Sequence, residues 1–258
     1  MRLMKRILSA AAVLALSASL LVGCSSGTAS SVPVSASSAA ESTVSSVEET
    51  ASSAVDENEA AAAQLLNDLT GSYQELWPVI LADEYKQTWL DVCTALVGED
   101  NAEAAFEKLS SMVTGDVYGE DAVKAYANGG GAYFCGFTNS LATLTFDGET
   151  STISGTDKDG NVLFSHTYHY IGMEPVRGLY EFQSDDADSG EFTYFFLAPD
   201  TSAETYHIEF RYGSDAEALS QYDAGEYAYW LASGISTDCD QTMIDNCIEL
   251  FCTENLAG

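Results

Sequence analysis

The stretch Leu141–Tyr170, LATLTFDGETSTISGTDKDGNVLFSHTYHY, decides the fold. Leu141–Phe146 alternates apolar and polar side chains, the period-2 pattern of a strand with one buried face. Asp147-Gly148 supplies a tight turn, Thr152–Gly155 continues as a second strand, and Asp159-Gly160 marks another turn before Val162–Tyr170. Further strands are predicted at Gly178–Gln183, Glu191–Ala198 and Thr205–Tyr212, separated by acidic, turn-rich segments. Asp215–Tyr222 has the pattern of a short helix and Met243–Phe251 that of a terminal one. In the other direction, residues 61–127 are predicted helical. Leu65, Leu66 and Leu69, then Trp77, Ile80 and Leu81, fall at helical spacing; Leu90, Cys93 and Leu96 share one side of Thr88–Leu96. Asn101 stands as an N-cap before Ala102–Met112, and Gly129-Gly130-Gly131 as a linker. Many short antiparallel strands with helices gathered at both ends predict a mainly β domain, α+β in class: a closed or nearly closed antiparallel barrel.

Before this domain the chain changes character twice. Arg2, Lys5 and Arg6 precede an apolar run ending in Leu21-Val22-Gly23-Cys24. A basic start, a short apolar core and small residues ahead of a cysteine resemble a bacterial lipobox, so residues 1–23 are expected to be a cleaved lipoprotein signal. Cys24 would carry the lipid and hold the protein at the outer face of the cell membrane. Residues 24–60 form a Ser-, Ala- and Glu-rich linker with Pro33 and no aromatic residue. Such a segment cannot bury enough apolar surface to offset its chain entropy. The domain proper is expected over 61–258, long enough for one core.

The chain holds 40 acidic and 9 basic residues, and three of the basic ones lie in the signal. A surface this acidic repels nucleic acid and anionic lipid, so nucleic acid is excluded as a partner and the membrane enters through the anchor alone. Besides Cys24 there are five cysteines: Cys93, Cys135, Cys239, Cys247 and Cys252. An odd count leaves at least one thiol outside any internal bond. The cluster Cys239, Cys247 and Cys252 lacks a Cys-x-x-Cys spacing; one disulfide among the three, or none, fits better than a zinc cluster.

No nucleophile elbow, phosphate loop, dinucleotide fingerprint or His-Glu-x-x-His helix occurs, which argues for binding without chemistry. The histidines are His166, His169 and His207. His166 and His169 are three apart on a predicted strand and should face opposite ways. Thr205, His207 and Glu209 alternate with Tyr206, Ile208 and Phe210, so strand periodicity puts an imidazole and a carboxylate on one face, half of a zinc site.

Several ordered motifs resemble the ZinT family of bacterial zinc-binding proteins, which also occurs as the C-terminal domain of AdcA-type lipoproteins. They are Leu69-Thr70-Gly71-Ser72-Tyr73-Gln74-Glu75-Leu76-Trp77-Pro78, the strand Val176–Phe182, the turn Asp185–Gly190, the loop Leu197-Ala198-Pro199, the strand Glu204–Ile208 and the stretch Tyr212–Leu219. The likeness spans residues 65–235. It implies a calycin- or lipocalin-like barrel with flanking helices that binds zinc at the barrel mouth and supports metal acquisition with an uptake transporter as partner. The chain departs from the family at the ligands. Its His-x-His falls on Thr205 and His207, and its upstream Ser-Asp-His has no counterpart in Tyr194–Pro199. The expected metal set is therefore His207, Glu209 and Thr205, with His169 or His166 entering from a neighbouring strand. The alternative is a barrel that has lost the metal and holds a small ligand or a partner protein. For that role Tyr168, Tyr170, Tyr180, Phe182, Phe195, Phe196, Phe210 and Tyr212 would line a cavity or fill the core.

Overall fold

The computed structural model describes residues 57–113 and 115–256. The expected signal, Cys24 and nearly all of the linker lie outside this range. Residues 57–60, assigned to the linker, already belong to helix α1 (57–68). Among the described residues no helix is long and apolar enough to cross a membrane.

Eight strands form a closed antiparallel barrel in strict chain order. They are β1 (Gly71–Glu75), β2 (Thr143–Asp147), β3 (Thr152–Thr156), β4 (Val162–Met173), β5 (Tyr180–Ser184), β6 (Tyr194–Leu197), β7 (Ile208–Gly213) and β8 (Ala232–Ser236). Both hairpins expected at the Asp-Gly pairs are present. Asp147 accepts backbone N–H groups from Glu149 and Thr150, and Asp157 does the same for Asp159 and Asn161. Gly160 takes φ +81° there, a left-handed conformation that costs glycine nothing. Short carboxylate-capped turns of this kind fix the register of the strands they join.

The strands that close the barrel are β1 and β8, paired through Gln74 and Ile235. Neither was predicted. Gly71–Glu75 lies inside the stretch expected to be helical, and the structure corrects that expectation. The remaining helices are α2 (Leu76–Ile80), α3 (Lys86–Val97), α4 (Glu99–Val113), α5 (Glu120–Ala127), α6 (Ser202–Thr205), α7 (Ala216–Leu219) and α8 (Gln241–Leu256). Asn101 sits inside α4, its amide donating to the Val97 carbonyl, instead of capping it.

Two apolar bodies hold these elements. One fills the barrel: Tyr73, Leu144, Phe146, Phe164, Tyr168, Phe182, Phe195, Phe210 and Tyr212 pack together at the centre. Phe195 and Tyr212 stack with centroids 5.4 Å apart. These aromatics are the core, and the alternative in which they line a ligand cavity is set aside. The second body joins α2, α3, α4 and α8 around Trp77, Ile80, Trp89, Cys93, Ile248 and Cys252, and reaches the barrel's outer wall through Ile235. Trp89 is anchored at its centre by an N–H bond to the Ile80 carbonyl at 2.7 Å.

Candidate metal centre under the C-terminal helix

Strand β7 carries the alternation that places the site. Ile208, Phe210 and Tyr212 turn into the barrel core, which sends Glu209 and Arg211 to the outer side. The outward neighbours of β7 meet α8, whose Cys247, Phe251 and Glu254 follow one another at helical spacing (i, i+4, i+7) on one face. Between wall and helix lies a cleft of about 140 Å³, lined by His207, Glu209, Ser233 and Cys135 on one side and by Cys247, Phe251 and Glu254 on the other, with Trp77 among its apolar walls. The cleft thus lies outside the barrel wall, whereas the family resemblance implies binding at the barrel mouth.

Thr205 does not join the strand. It ends α6, and Tyr206 follows in the left-handed region at φ +67°, which breaks the alternation just before Ile208. Its side chain donates to the Thr201 and His207 carbonyls. Its own carbonyl has a different use. The His207 Nδ1–H donates to it at 2.7 Å, because a carbonyl can only accept. That bond fixes the tautomer and turns Nε2 toward Glu209, whose Oε1 lies 3.9 Å away.

The electrostatics around the ring are strongly acidic. Burial disfavours the charged imidazole, but the neighbouring Cys247 and Glu209 outweigh it and raise the His207 pKa well above its usual value. Burial likewise pushes Glu254 up, assisted by Glu209 and Asp200, and pushes Asp200 up, assisted by Glu204 and Glu209. One imidazole therefore sits among several crowded carboxylates. Cys247 Sγ approaches the Nδ1 side of the ring at 3.8 Å, opposite to the edge that faces Glu209. A single ion cannot take both ring edges, so thiol and carboxylate do not combine in one coordination shell with this histidine.

His166 and His169 do not reach this place. They lie on β4, separated from β7 by β5 and β6. His166 Nδ1 pairs with Asp186 at 2.6 Å and His169 Nδ1 with Asp185 at 2.7 Å. His166 shares the inward face with Phe164 and Tyr168, whereas His169 is half exposed on the other. Of the five expected ligands, only His207 and Glu209 present donor atoms to each other. Among the described residues no three His, Cys, Asp or Glu side chains are placed to hold a metal ion together, so the donors fall short of the three or four that a tight zinc site needs. A larger depression of about 610 Å³, bordered by Tyr118, Asn139, Glu191 and Glu226, lies elsewhere and includes none of the expected residues.

Glu254 and Asp200 were not singled out from sequence, and Cys247 was weighed only with Cys239 and Cys252, not beside His207. The helical spacing of Cys247, Phe251 and Glu254 was visible, but nothing along the chain told which strand that face would cover.

No protein-family model matches the chain, and no curated protein matches it. Among solved structures, the fold is similar to the zinc-bound ZinT-like domain of AdcA from Streptococcus pneumoniae, at TM-score 0.45 and 15% identity over 71% of this chain and 89% of that one. It is also similar to zinc-bound AdcA from the same organism, at TM-score 0.43 and 15% identity, over 71% of this chain and 35% of that one.

Proposed function

We propose that this protein is a lipid-anchored, extracytoplasmic metal-capture protein whose cargo is a divalent cation, zinc by its nitrogen and oxygen donors, taken up between His207 and Glu209. The observation that carries this reading is the Nδ1–H bond from His207 to the Thr205 carbonyl, which leaves Nε2 as the nitrogen aimed at a carboxylate 3.9 Å away. A backbone carbonyl that accepts from the far nitrogen of an imidazole is the usual support of a histidine ligand. The ordered motifs resembling the ZinT family favour the same conclusion. With two protein donors the remaining positions fall to water, and the ion competes with a proton that the ring holds firmly. Binding is therefore weaker than at a complete zinc centre. The protein delivers the ion and does no chemistry on it.

Calorimetric titration of the purified protein with zinc tests the reading. A one-to-one response in the micromolar range that His207→Ala removes supports it. Silence in the unsubstituted protein ends it. The second reading, a barrel that has lost its metal and holds a small organic ligand, is favoured by the lack of three convergent donors among the described residues and by the apolar walls of the cleft. Its test is a fluorescence screen of small amines and acids against Trp77, with Trp77→Phe as the control.

A further inference from the structure

Cys93 and Cys252 meet where α3 packs on α8, their sulfurs 4.0 Å apart. Both are completely buried in the helical core, beside Trp89 and Phe251, whose rings meet edge to face at 5.9 Å. The other cysteines are occupied differently. Cys247 lies against His207, Cys135 faces the Tyr133 carbonyl, and Cys239 is only partly covered. The sequence suggested a bond within the C-terminal cluster or none; the structure places Cys252 beside Cys93 instead.

We infer that Cys93 and Cys252 are an oxidation site: the chain forms a disulfide between them that ties α8 to α3. Each sulfur must move by about 1 Å to reach bonding distance, within the range of a small side-chain rotation on a helix. The odd cysteine count is then resolved, with Cys135, Cys239 and Cys247 left as thiols.

The chemistry needs an oxidant, and a disulfide-bearing one, protein or small molecule, suffices. The Cys93 thiolate attacks one sulfur of that disulfide and expels the other as a thiolate. The Cys252 thiolate then attacks Cys93 in the mixed disulfide and expels the donor's second thiolate; the protein is oxidised and the donor reduced to two thiols, which take up the two protons the cysteines gave up. Burial raises the pKa of both thiols in the folded domain, and neither is exposed to a partner. The exchange therefore takes place before α8 docks, while the C-terminal helix is still free.

Closing Cys93 to Cys252 encloses β2 through β8, and a long enclosed loop restricts the unfolded chain strongly. The test is oxidative refolding of the full-length protein. Reduced, denatured protein is refolded with oxidised glutathione in one arm and with excess dithiothreitol in the other, then alkylated and mapped by peptide mass. The expected result is a Cys93–Cys252 cross-link in the oxidised arm, with Cys135, Cys239 and Cys247 alkylated. The thermal midpoint of that arm should be higher by about 10 °C, and Cys93→Ala should abolish the difference between arms. Should that variant fail to fold, the peptide map of the unsubstituted protein decides alone. Alkylation of both Cys93 and Cys252 after oxidation, or a bond from Cys252 to Cys239 or Cys247, overturns the inference.

Discussion

Arg211 shows how much a single residue carries here. It is fully buried on the outer side of β7, and its guanidinium donates to the carbonyls of Leu219, Gln221 and Tyr227. Tyr222 covers one face at 4.4 Å. No carboxylate shares the charge in these bonds; the ring and three carbonyls do so. Arg211→Met should therefore leave the Leu219, Gln221 and Tyr227 carbonyls without their donor and cost about 3 kcal/mol, read as a lower urea midpoint. At the proposed metal centre, Glu209→Gln keeps the shape and removes the charge, so zinc affinity by titration should fall about tenfold or more. Unchanged affinity would mean that Glu209 is not a ligand. His207 and Glu209 were legible as a pair from strand periodicity alone. Thr205 was not, because a left-handed Tyr206 is invisible to a two-residue period.

Among the elements, the hairpins of β2, β3 and β4 and the last helix were readable because each carries its own punctuation: Asp-Gly turns, alternating side chains, a helical apolar stripe. β1 and β8 were not. Gly71–Glu75 contains one deeply buried side chain, Tyr73, and Ala232–Ser236 is buried along almost its whole length and rich in small residues. Neither shows the polar alternation that marks a half-exposed strand, and both are held as strands by pairing on each side, β1 with β2 and β8, β8 with β7 and β1. The β2–β3 hairpin illustrates the dependence on neighbours. A Cβ on Gly148 would collide with the backbone of Leu66 and Asn67 at the end of α1. Gly148→Ala should thus lever the hairpin off α1 and cost about 2 kcal/mol, while Gly160→Ala at the open second turn, where nothing crowds the Cβ, should cost only the strain of its positive φ, about 1 kcal/mol. Equal losses for both variants in chemical denaturation would mean that α1 does not brace the first hairpin.

For the whole molecule, the aromatic core makes stability sensitive to alkali. Burial raises the pKa of Tyr168, whose hydroxyl donates to the Phe192 carbonyl, and of Tyr212, held by Thr138. Burial pushes Tyr222 up to about 12. The folded pKa values exceed the unfolded one, about 10, so the stabilisation is complete below that pH and is lost as pH rises above it. Each fully buried tyrosine removes about 1.4 kcal/mol per pH unit in that window. Thermal midpoints should fall steeply above about pH 10, with Tyr168→Phe flattening the decline. A flat profile up to about pH 12 would show that these hydroxyls ionise in place.

The β1–β8 pairing also sets an order of events. A chain that emerges N-terminus first presents Gly71–Glu75 early, yet its second neighbour, Ala232–Ser236, comes about 160 residues later. During that interval one flank of the first strand has an unsatisfied row of amides and carbonyls, open to any extended segment that drifts past. The wall becomes seamless only when the tail arrives, so trimming a few residues from the C-terminal end of the barrel would leave a sticky open ribbon in place of a slightly smaller protein.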